Sequence, residues 1–200
     1  MSEFFREGTA WDEDDLEMRT LDGPPPAGFD CGADDQDRFL YERAWADACQ
    51  GISVTHVLYV KGIAAAYVTL LSDRIQLGPK EKPKGVTYQF VPALKVGQLA
   101  VDRRFAGRGL GRYLIGFAVE LATQFRSVFG CRYITLDAEP HLLPWYESQG
   151  FKRNIEEQRY RRALSEARGR PVDQLAVSMR FDLRDARIEG PWEVSRSASG

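Results

Sequence analysis

A strand, a glycine-rich turn and a long amphipathic helix follow one another between residues 94 and 125, and this succession limits the fold more than any other feature. The turn, whose residues 104–112 read RFAGRGLGR, places three glycines within five residues at the helix start. Each glycine costs a helix about 1 kcal/mol against alanine, but it lets backbone N–H groups approach a ligand closely at the positive end of the helix dipole. The sequence therefore predicts a phosphate or pyrophosphate site at the start of a helix whose apolar face consists of Leu110, Leu114, Phe117, Leu121 and Phe125.

The strand before this turn, expected over residues 94–101, changes its side-chain parity. Leu94 and Val96 share one face, but Leu99 and Val101 fall on the opposite parity. A β-bulge near Gly97 and Gln98 would return both pairs to one face. A central strand that is apolar on both faces would show the same pattern.

The patterns elsewhere predict the element order β-α-β-β-β-α-β-α-β-α-β, which is typical of an α/β or α+β sheet with helices packed on it. We expect strands at 16–21, 53–60, 63–72, 94–101, 133–136, 151–153 and 175–183, and helices at 34–50, 110–125, 142–149 and 154–168. The first helix is expected to be capped by Asp34 and to bury Phe39, Leu40, Ala44, Trp45 and Ala48.

The chain is expected to form one domain over residues 14–183. An acidic leader (1–13) and a tail (184–200) are expected to be loosely ordered. Residues 76–93 contain three prolines and two glycines and are expected to form an insertion or flap. Residues 154–170 are expected to form a basic helix.

The formal net charge of −2 conceals an asymmetry, because residues 1–40 carry a net charge of −9 and the other 160 residues carry +7. A basic body suits an anionic ligand such as a nucleotide cofactor or RNA, although a solvated surface of mixed charge fits equally well. Three cysteines without CxxC spacing indicate reduced thiols and a cytoplasmic protein. The longest apolar run has nine residues and cannot span a bilayer, and two isolated histidines exclude the common zinc patterns, so neither a membrane nor a metal is expected.

The glycine-rich turn resembles the signature of the GNAT superfamily of acetyl-coenzyme-A-dependent N-acetyltransferases. Its signature, (Gln or Arg)-x-x-Gly-x-(Gly or Ala), is matched by Arg104, Gly107 and Gly109, whereas a P-loop would need a lysine after the glycines and the dinucleotide fingerprint a different glycine spacing. The family's second signature, an aromatic-tyrosine pair shortly before Gly-Phe, is matched by the segment PWYESQGF at 144–151. The resemblance covers about residues 15–183.

This resemblance implies a mixed, strongly twisted sheet of six or seven strands, with helices on both faces and two central parallel strands that splay apart to admit acetyl-CoA. It implies direct attack of an amine on the thioester in a ternary complex, with Tyr146 as the general acid that protonates the leaving thiolate. It also implies a set of backbone contacts to the pantetheine arm and pyrophosphate, made by Leu99, Ala100, Val101, Arg104, Gly107, Arg108, Gly109, Leu110, Gly111 and Arg112.

The residues do not identify a general base. Asp137, Glu139, His141, Lys95 and Gln98 are expected near the cleft, but each fits a structural role as well, and Glu139 before Pro140 is expected to cap a helix. Water can also deprotonate the amine. His56 is expected to be a packed histidine within a strand.

A further resemblance concerns the acceptor. The segment from Phe29 through Asp30-Cys31-Gly32 to Phe39-Leu40 resembles the toxin-like GNAT branch, whose members acetylate the amino acid on charged tRNA and pair with an antitoxin. The basic helix, which Asn154 and Glu157 are expected to open as a capping box, could follow a phosphate backbone, or it could be an ordinary amphipathic helix with Ile155, Tyr160 and Leu164 on its apolar side. The basic residues concerned are Lys152, Arg153, Arg159, Arg161, Arg162, Arg168 and Arg170.

The sequence therefore predicts an N-acetyltransferase that acts on a primary amine. The acceptor could be a small molecule, a peptide or an aminoacyl-tRNA, and a homodimer is possible. A toxin with an antitoxin partner and a non-catalytic module that binds coenzyme A remain as alternatives.

Overall fold

The computed structural model describes residues 11–169, 171–172 and 175–186. Seven strands from this part of the chain form one sheet in the order β1-β2-β3-β4-β5-β7-β6, in which only β4 and β5 are parallel neighbours. This mixed sheet confirms the predicted fold class. The strands are β1 (Leu16–Thr20), β2 (Val54–Val60), β3 (Ile63–Gln76), β4 (Phe90–Val101), β5 (Tyr133–Ala138), β6 (Lys152–Arg153) and β7 (Val177–Asp182).

Helices cover both faces of the sheet. On one face, Leu40 and Ala44 pack with Val57 and Tyr67 in one apolar cluster. On the other face, the long helix that follows β4 forms the larger cluster with β2–β5 and β7. The α-helices are α1 (Asp34–Arg38), α2 (Ala44–Cys49), α3 (Leu110–Phe125), α4 (Leu143–Ser148) and α5 (Ile155–Ala167), with one π-helical turn (Phe39–Arg43) between α1 and α2.

The parity change in β4 is caused by a β-bulge. Thr69 of β3 pairs with Gln98, and the next residue, Leu70, pairs with Val96, so Gly97 is the extra residue. A Cβ at Gly97 would lie 2.8 Å from Leu71 Cδ2, which explains the glycine. Because of the bulge, the apolar side chains on both sides of it reach the larger cluster, as predicted: Leu94, Val96, Leu99 and Val101.

The parallel strands β4 and β5 stop pairing at Val96, directly before the bulge residue Gly97. Their register runs only from Ala93–Tyr133 to Val96–Leu136, although both strands continue beyond it. The two central strands therefore splay, as expected. Residues 98–101 pair with β3 on one side and leave the other edge of β4 open toward the gap.

The segment between β3 and β4 is shorter than the insertion predicted at 76–93, and both of its predicted bounds are wrong. Gln76 ends β3 and residues 90–93 begin β4, so the connection contains only residues 77–89. Val91 and Ala93 are buried and give this part of β4 the alternation of a strand. The alternation is hard to recognise in the sequence, because Pro92 lies between them, and the partners of these three residues on β3 include the charged residues Asp73 and Arg74.

The first predicted helix is interrupted by the π-helical turn and does not bury all of its expected residues. Leu40 and Ala44 are fully buried, but Trp45 remains 39 % exposed. Ala33, not Asp34, occupies the N-cap position, and no side chain caps the helix there. In α3, Phe125 is also exposed at 43 %, because it lies at the end of the helix beyond the edge of the core.

The ends of the chain lie mostly outside the described residues, which exclude 1–10 and 187–200. Trp11, within the predicted leader, packs against the larger apolar cluster, with its ring 5.7 Å from that of Phe105. No helix in the described ranges is long and apolar enough to cross a membrane.

Candidate active site

The glycine-rich turn presents a row of backbone donors at the start of α3. Gly107 and Gly109 adopt positive φ angles of 73° and 83°, which a side chain would strain, and Gly109 is the N-cap of the helix. Among the described residues, no acceptor takes the N–H groups from Gly107 to Gly111. These donors, at the positive end of a 16-residue helix, are a candidate site for an anion such as phosphate.

Arg104, expected to bind the pyrophosphate, has most of its donors engaged within the chain. Its backbone N–H donates to Asp102 Oδ1 at 2.9 Å, and its Nε and Nη2 donate to the two carboxylate oxygens of Asp102. A further donation from Nη2 reaches the carbonyl of Gly28 at 3.0 Å. Arg104 therefore fixes the approach to the turn through its amide, Nε and Nη2, while its guanidinium remains half exposed.

The sequence analysis missed Asp102, which is the centre of this arrangement. Its side chain is 1 % exposed and also accepts the backbone N–H of Asp30 at 3.0 Å. Hydrogen bonds from Arg104, above all, lower the pKa of Asp102 to about 2. A lone aspartate between a strand and a turn carries no motif, so only its burial reveals it.

The segment that resembles the toxin-like branch packs against the same place. Arg103 N–H donates to the carbonyl of Asp30 at 2.9 Å, and the Arg103 guanidinium contacts the Asp30 carboxylate. Cys31 N–H donates to Asp37 Oδ1 at 2.9 Å, and burial, above all, raises the pKa of the Cys31 thiol to about 11. Cys31 is therefore a protonated structural residue, and the segment braces the end of β4.

Arg108 lies beside Trp11 at the outer edge of the turn. The Arg108 guanidinium carbon is 5.2 Å from the Trp11 ring centroid, a cation–π distance. Arg108 is exposed, so its charge remains accessible next to the free N–H groups. Trp11 is therefore a second residue near the site that the sequence did not identify.

Tyr146 lies in α4, on the same face of the sheet as α3. Its side chain is 7 % exposed and packs edge-on against Trp145 and Phe151, with ring centroids 4.7 and 5.7 Å away. Burial, followed by the negative charge of Glu139, raises the pKa of Tyr146 to about 12. The phenol therefore keeps its proton at neutral pH and can donate it.

The candidate bases are engaged elsewhere or lie at the surface. Asp137 accepts from Lys95 Nζ at 2.7 Å and from Arg161 Nη1 at 2.6 Å, and these two cations hold its pKa below its usual range against the opposing effect of burial. Glu139 and His141 are both more than half exposed and face each other at 3.4 Å, and no Glu139 side-chain bond caps the following turn. These contacts favour none of them as a base.

His56 is half-buried, as expected for a packed histidine. Its ring lies edge-on against Phe117 at 4.9 Å, and Nδ1 is 3.1 Å from Thr20 Oγ1. Burial lowers its pKa.

The basic helix α5 differs from the amphipathic interpretation at two of the three residues expected on its apolar side, whereas the third, Leu164, is partly buried. Ile155 and Tyr160, expected on a buried apolar side, are 55 % and 65 % exposed. Asn154 does not form a capping box, since its amide donates to Ser178 Oγ at 2.8 Å. Instead, the carboxylate of Glu81 accepts the N–H groups of Ile155 and Glu156 at 3.0 and 3.1 Å.

Many of the basic side chains around α5 are neutralised. Acidic partners within 4 Å are present for Lys152 (Asp185), Arg153 (Glu147), Arg159 (Glu156) and Arg161 (Asp137 and Glu157). Arg162 and Arg168 are exposed, and Arg170 lies outside the described residues. The helix is therefore less basic at its surface than its composition indicates.

Comparison with known proteins agrees with this geometry. The sequence profile of the acetyltransferase (GNAT) domain matches residues 37–165, which is more than half of the chain. The chain belongs to the GNAT acetyltransferase family. It is therefore an acetyl-CoA-dependent acyltransferase, and the free N–H groups of the turn and the open edge of β4 suit this co-substrate.

Toxins are prominent among the relatives of this GNAT domain. It is 30 % identical over 123 residues to the tRNA-acetylating toxin of Mycobacterium tuberculosis (strain ATCC 25618 / H37Rv), a match that covers 60 % of this chain and 73 % of the toxin. Solved structures with the same fold include AtaT complexed with acetyl-methionyl-tRNAfMet (TM-score 0.69, 21 % identity, 85 % of this chain and 96 % of AtaT). A tyrosine-to-phenylalanine mutant of AtaT bound to the C-terminus of the antitoxin AtaR and acetyl-CoA gives a TM-score of 0.63 (18 % identity, 86 % and 95 % covered).

Proposed function

We propose that this GNAT enzyme acetylates the α-amino group of an amino acid esterified to tRNA, and that it acts as a toxin controlled by an antitoxin. The observation that carries the proposal is the 30 % identity to a tRNA-acetylating toxin, extending over 73 % of that protein. The Phe29–Leu40 segment, which resembles the toxin-like branch, supports it. So does the fold shared with AtaT, solved in complex with an acetylated tRNA.

The broader alternative is an unspecified primary amine on a small molecule or peptide. It fits the same chemistry, but none of the relatives described above favours it over charged tRNA. A module that binds coenzyme A without catalysis would not require a buried, protonated phenol at the position of Tyr146. We therefore take the tRNA-acetylating reaction as the function.

In the proposed mechanism, the glycine-rich turn binds the pyrophosphate. The N–H groups of Gly107 and Arg108 before the helix, and of Gly109, Leu110 and Gly111 at its start, are the proposed donors, with Arg112 in the same first turn. The exposed charge of Arg108 adds to the positive potential there. Asp102 and Arg104 hold the chain that enters the turn, so these donors keep their positions without a ligand.

The open edge of β4 then orients the rest of the donor. We propose that the backbone of Leu99, Ala100 and Val101 hydrogen-bonds to the pantetheine arm as an added strand would, since no strand of the described residues pairs with this edge after Val96. When bound, acetyl-CoA supplies a thioester that a neutral amine can attack directly.

Tyr146 completes the reaction as general acid. Its protonated phenol donates to the departing thiolate sulfur, which improves the leaving group. Because burial keeps its pKa near 12, the donor form is fully populated at physiological pH. The acceptor amine loses its proton to water, in agreement with the engagement of Asp137 by Lys95 and Arg161.

Cell-free protein synthesis tests the proposal. An N-acetylated aminoacyl-tRNA cannot extend a peptide, because its amide nitrogen is not a nucleophile. We expect the enzyme with acetyl-CoA to stop synthesis, fresh charged tRNA added after removal of acetyl-CoA to restore it, and the Tyr146→Phe variant to leave it largely unaffected. Undiminished synthesis, with acetyl groups transferred instead to small amines or peptides, would contradict the tRNA proposal in favour of the broader alternative.

The antitoxin is tested separately, by expression in growing cells. We expect induction of the wild-type chain to arrest growth and co-expression of the neighbouring small open reading frame to relieve the arrest, whereas the Tyr146→Phe variant causes none. Growth unaffected by a well-expressed active enzyme would show that the chain is not a toxin.

A further inference from the structure

The helix α5 packs on the sheet with its polar side inward. Glu157 and Arg161 face the sheet and are about 30 % exposed, bound to each other at 2.8 Å, while Ile155 and Tyr160 face solvent. An amphipathic helix normally buries its apolar side, because buried charges must be desolvated. A helix that turns charged residues toward the sheet therefore indicates that polar groups are stabilised in the space beneath it.

The sheet surface below α5 is polar as well. It presents Asp73 from β3, Lys95 from β4, Thr135 and Asp137 from β5, and Ser178 from β7. These residues line a cavity of about 80 Å³ together with Arg74, Ile75, Leu136, Glu157 and Arg161. That volume accommodates a few water molecules, or an ammonium group with its first carbon.

The carboxylate of Asp73 stands apart from the ion pairs around this cavity. Asp137 contacts both Lys95 and Arg161, and Arg161 also contacts Glu157, so these four residues form a closed network. The carboxylate of Asp73 accepts the Thr135 hydroxyl at 2.6 Å, and within the described part of the chain no cation lies within 4 Å of it. Arg74 also lines the cavity and balances its overall charge, but its guanidinium stacks on the Phe90 ring at 4.1 Å. Asp73 is therefore a partly buried carboxylate without a direct ion-pair partner among the described residues.

The cavity also lies where the enzyme needs an acceptor. The last ladder pair between β4 and β5 is Val96–Leu136, and Lys95 pairs with Thr135 directly before it. Asp137 follows the last pair. The cavity that these residues line therefore adjoins the place where β4 and β5 separate. Its lining residues Thr135 and Asp137 alternate with Ile134 and Leu136, whose side chains face the cluster that contains Tyr146. The cavity is therefore on the opposite face of the sheet from the proposed acid.

We propose that this cavity is a binding site for the ammonium group of the acceptor, with Asp73 as its anionic anchor. The amine would enter the gap between β4 and β5 from the α5 face, while Tyr146 acts from the α3–α4 face. A primary ammonium supplies a direct ion-pair partner for Asp73 and three N–H donors for Asp73 and the Thr135 and Ser178 hydroxyls. Asp73 is a binding residue in this scheme and takes no proton.

This inference rests on the proposed function only for the choice of an amino-acid ester as the ligand. Alanine methyl ester carries the ammonium and ester groups of an aminoacyl-tRNA, and its N-acetyl derivative has no charge, one N–H donor in place of three, and an added acetyl group. We would follow the backbone amide signals of the full chain, with coenzyme A present, by NMR during titration with each compound. We expect the ester to shift signals at Asp73, Lys95 and Thr135, and the N-acetyl ester to shift none of them.

Variants sharpen this experiment. Asp73→Asn removes the charge and should weaken ester binding about tenfold or more, as expected for the loss of a charge-assisted hydrogen bond. Asp73→Glu should retain most of the binding, and Asp35→Asn, an exposed acid in α1, should bind like the wild type. In charged-tRNA assays, Asp73→Asn should raise KM for the acceptor and leave KM for acetyl-CoA unchanged.

The possible outcomes separate the two proposals. If the wild-type chain shows no ester-dependent shifts around the cavity, or if Asp73→Asn binds as tightly as the wild type, the ammonium site is wrong even if charged tRNA is acetylated. If the ester binds there and charged tRNA is not acetylated, the site stands and the tRNA proposal is wrong. The comparison of the two esters uses the wild-type protein alone, so a variant that fails to fold does not remove the test.

Discussion

Asp102 holds Arg104 by both of its carboxylate oxygens, with Nε and Nη2 of the guanidinium each 2.8 Å away. The same carboxylate accepts the backbone N–H of Arg104 and of Asp30. Asp102 thus joins the end of β4 to the Phe29–Leu40 segment immediately before the glycine-rich turn. The rigidity of the glycine-rich turn depends on the buried Asp102, whereas the glycines determine the shape of the turn.

Replacement of Asp102 tests this link and has a defined pH dependence. Its lowered pKa means that the ionised carboxylate stabilises the fold above the unfolded-state pKa near 4, and that this contribution is lost as the pH falls toward about 2. Because Arg104 is half exposed, we expect Asp102→Asn to lower the free energy of unfolding by about 1–2 kcal/mol at neutral pH. Urea unfolding should show the gap between variant and wild type narrowing from pH 4 to pH 2. A difference in the free energy of unfolding between variant and wild type that does not change with pH would contradict this role.

Removal of the Tyr146 hydroxyl tests the general acid. Tyr146→Phe should lower kcat by about 10²–10⁴-fold and leave KM for acetyl-CoA nearly unchanged, because only proton donation is lost. Thiol release from acetyl-CoA in the presence of acceptor measures both constants. Tyr160→Phe, at a tyrosine that is 65 % exposed, is the matched control and should behave like the wild type. Full turnover by Tyr146→Phe would remove this residue from the mechanism.

The turn itself is tested at Gly107. A Cβ at this position meets nothing within 4 Å, so Gly107→Ala changes only the cost of its φ of 73°, about 1 kcal/mol. We expect the strained turn to tilt its N–H groups away from the pyrophosphate, so that calorimetry shows weaker coenzyme A binding by about tenfold. Gly130→Ala, also with open space and without a positive φ, should bind normally. Equal affinities would show that this part of the turn does not contact the donor.

Glu81 is expected to hold α5 in place. Its side chain is about 10 % exposed, accepts two N–H groups at the helix start and pairs with Arg180 at 2.9 Å. Glu81→Gln should therefore lower the free energy of unfolding by about 1–3 kcal/mol, and Glu156→Gln, at an exposed acid beside it, by much less. Hydrogen bonds from the Glu156 and Ile155 N–H groups, with the charge of Arg180, outweigh burial and lower the pKa of Glu81, so its contribution is present above the unfolded-state pKa near 4 and is lost as the pH falls below it. Thermal melts of both variants at neutral and acidic pH measure this difference.

Local patterns were sufficient to predict much of this fold. The bulge at Gly97 and the helix α3 could be predicted because side-chain periodicity records which face of an element is buried. The glycine-rich turn predicted a phosphate site because glycines at a helix start are unfavourable without such a use.

The missed features depend on partners distant in sequence. Asp102 is joined to Asp30, 72 residues earlier, and Glu81 caps a helix that begins 74 residues later. The buried side of α5 was assigned incorrectly because the sheet beneath it is polar, so the usual rule that apolar residues face inward fails there.

The product formed from charged tRNA tests the central claim most directly. Total aminoacyl-tRNA would be incubated with the enzyme and acetyl-CoA, digested to aminoacyl-adenosine and analysed by mass spectrometry. We predict that one or more aminoacyl-adenosines gain a single acetyl group on the α-nitrogen, and that Tyr146→Phe forms far less of this product. Unmodified aminoacyl-adenosines, from an enzyme preparation that releases coenzyme A in the presence of a different amine, would contradict the account.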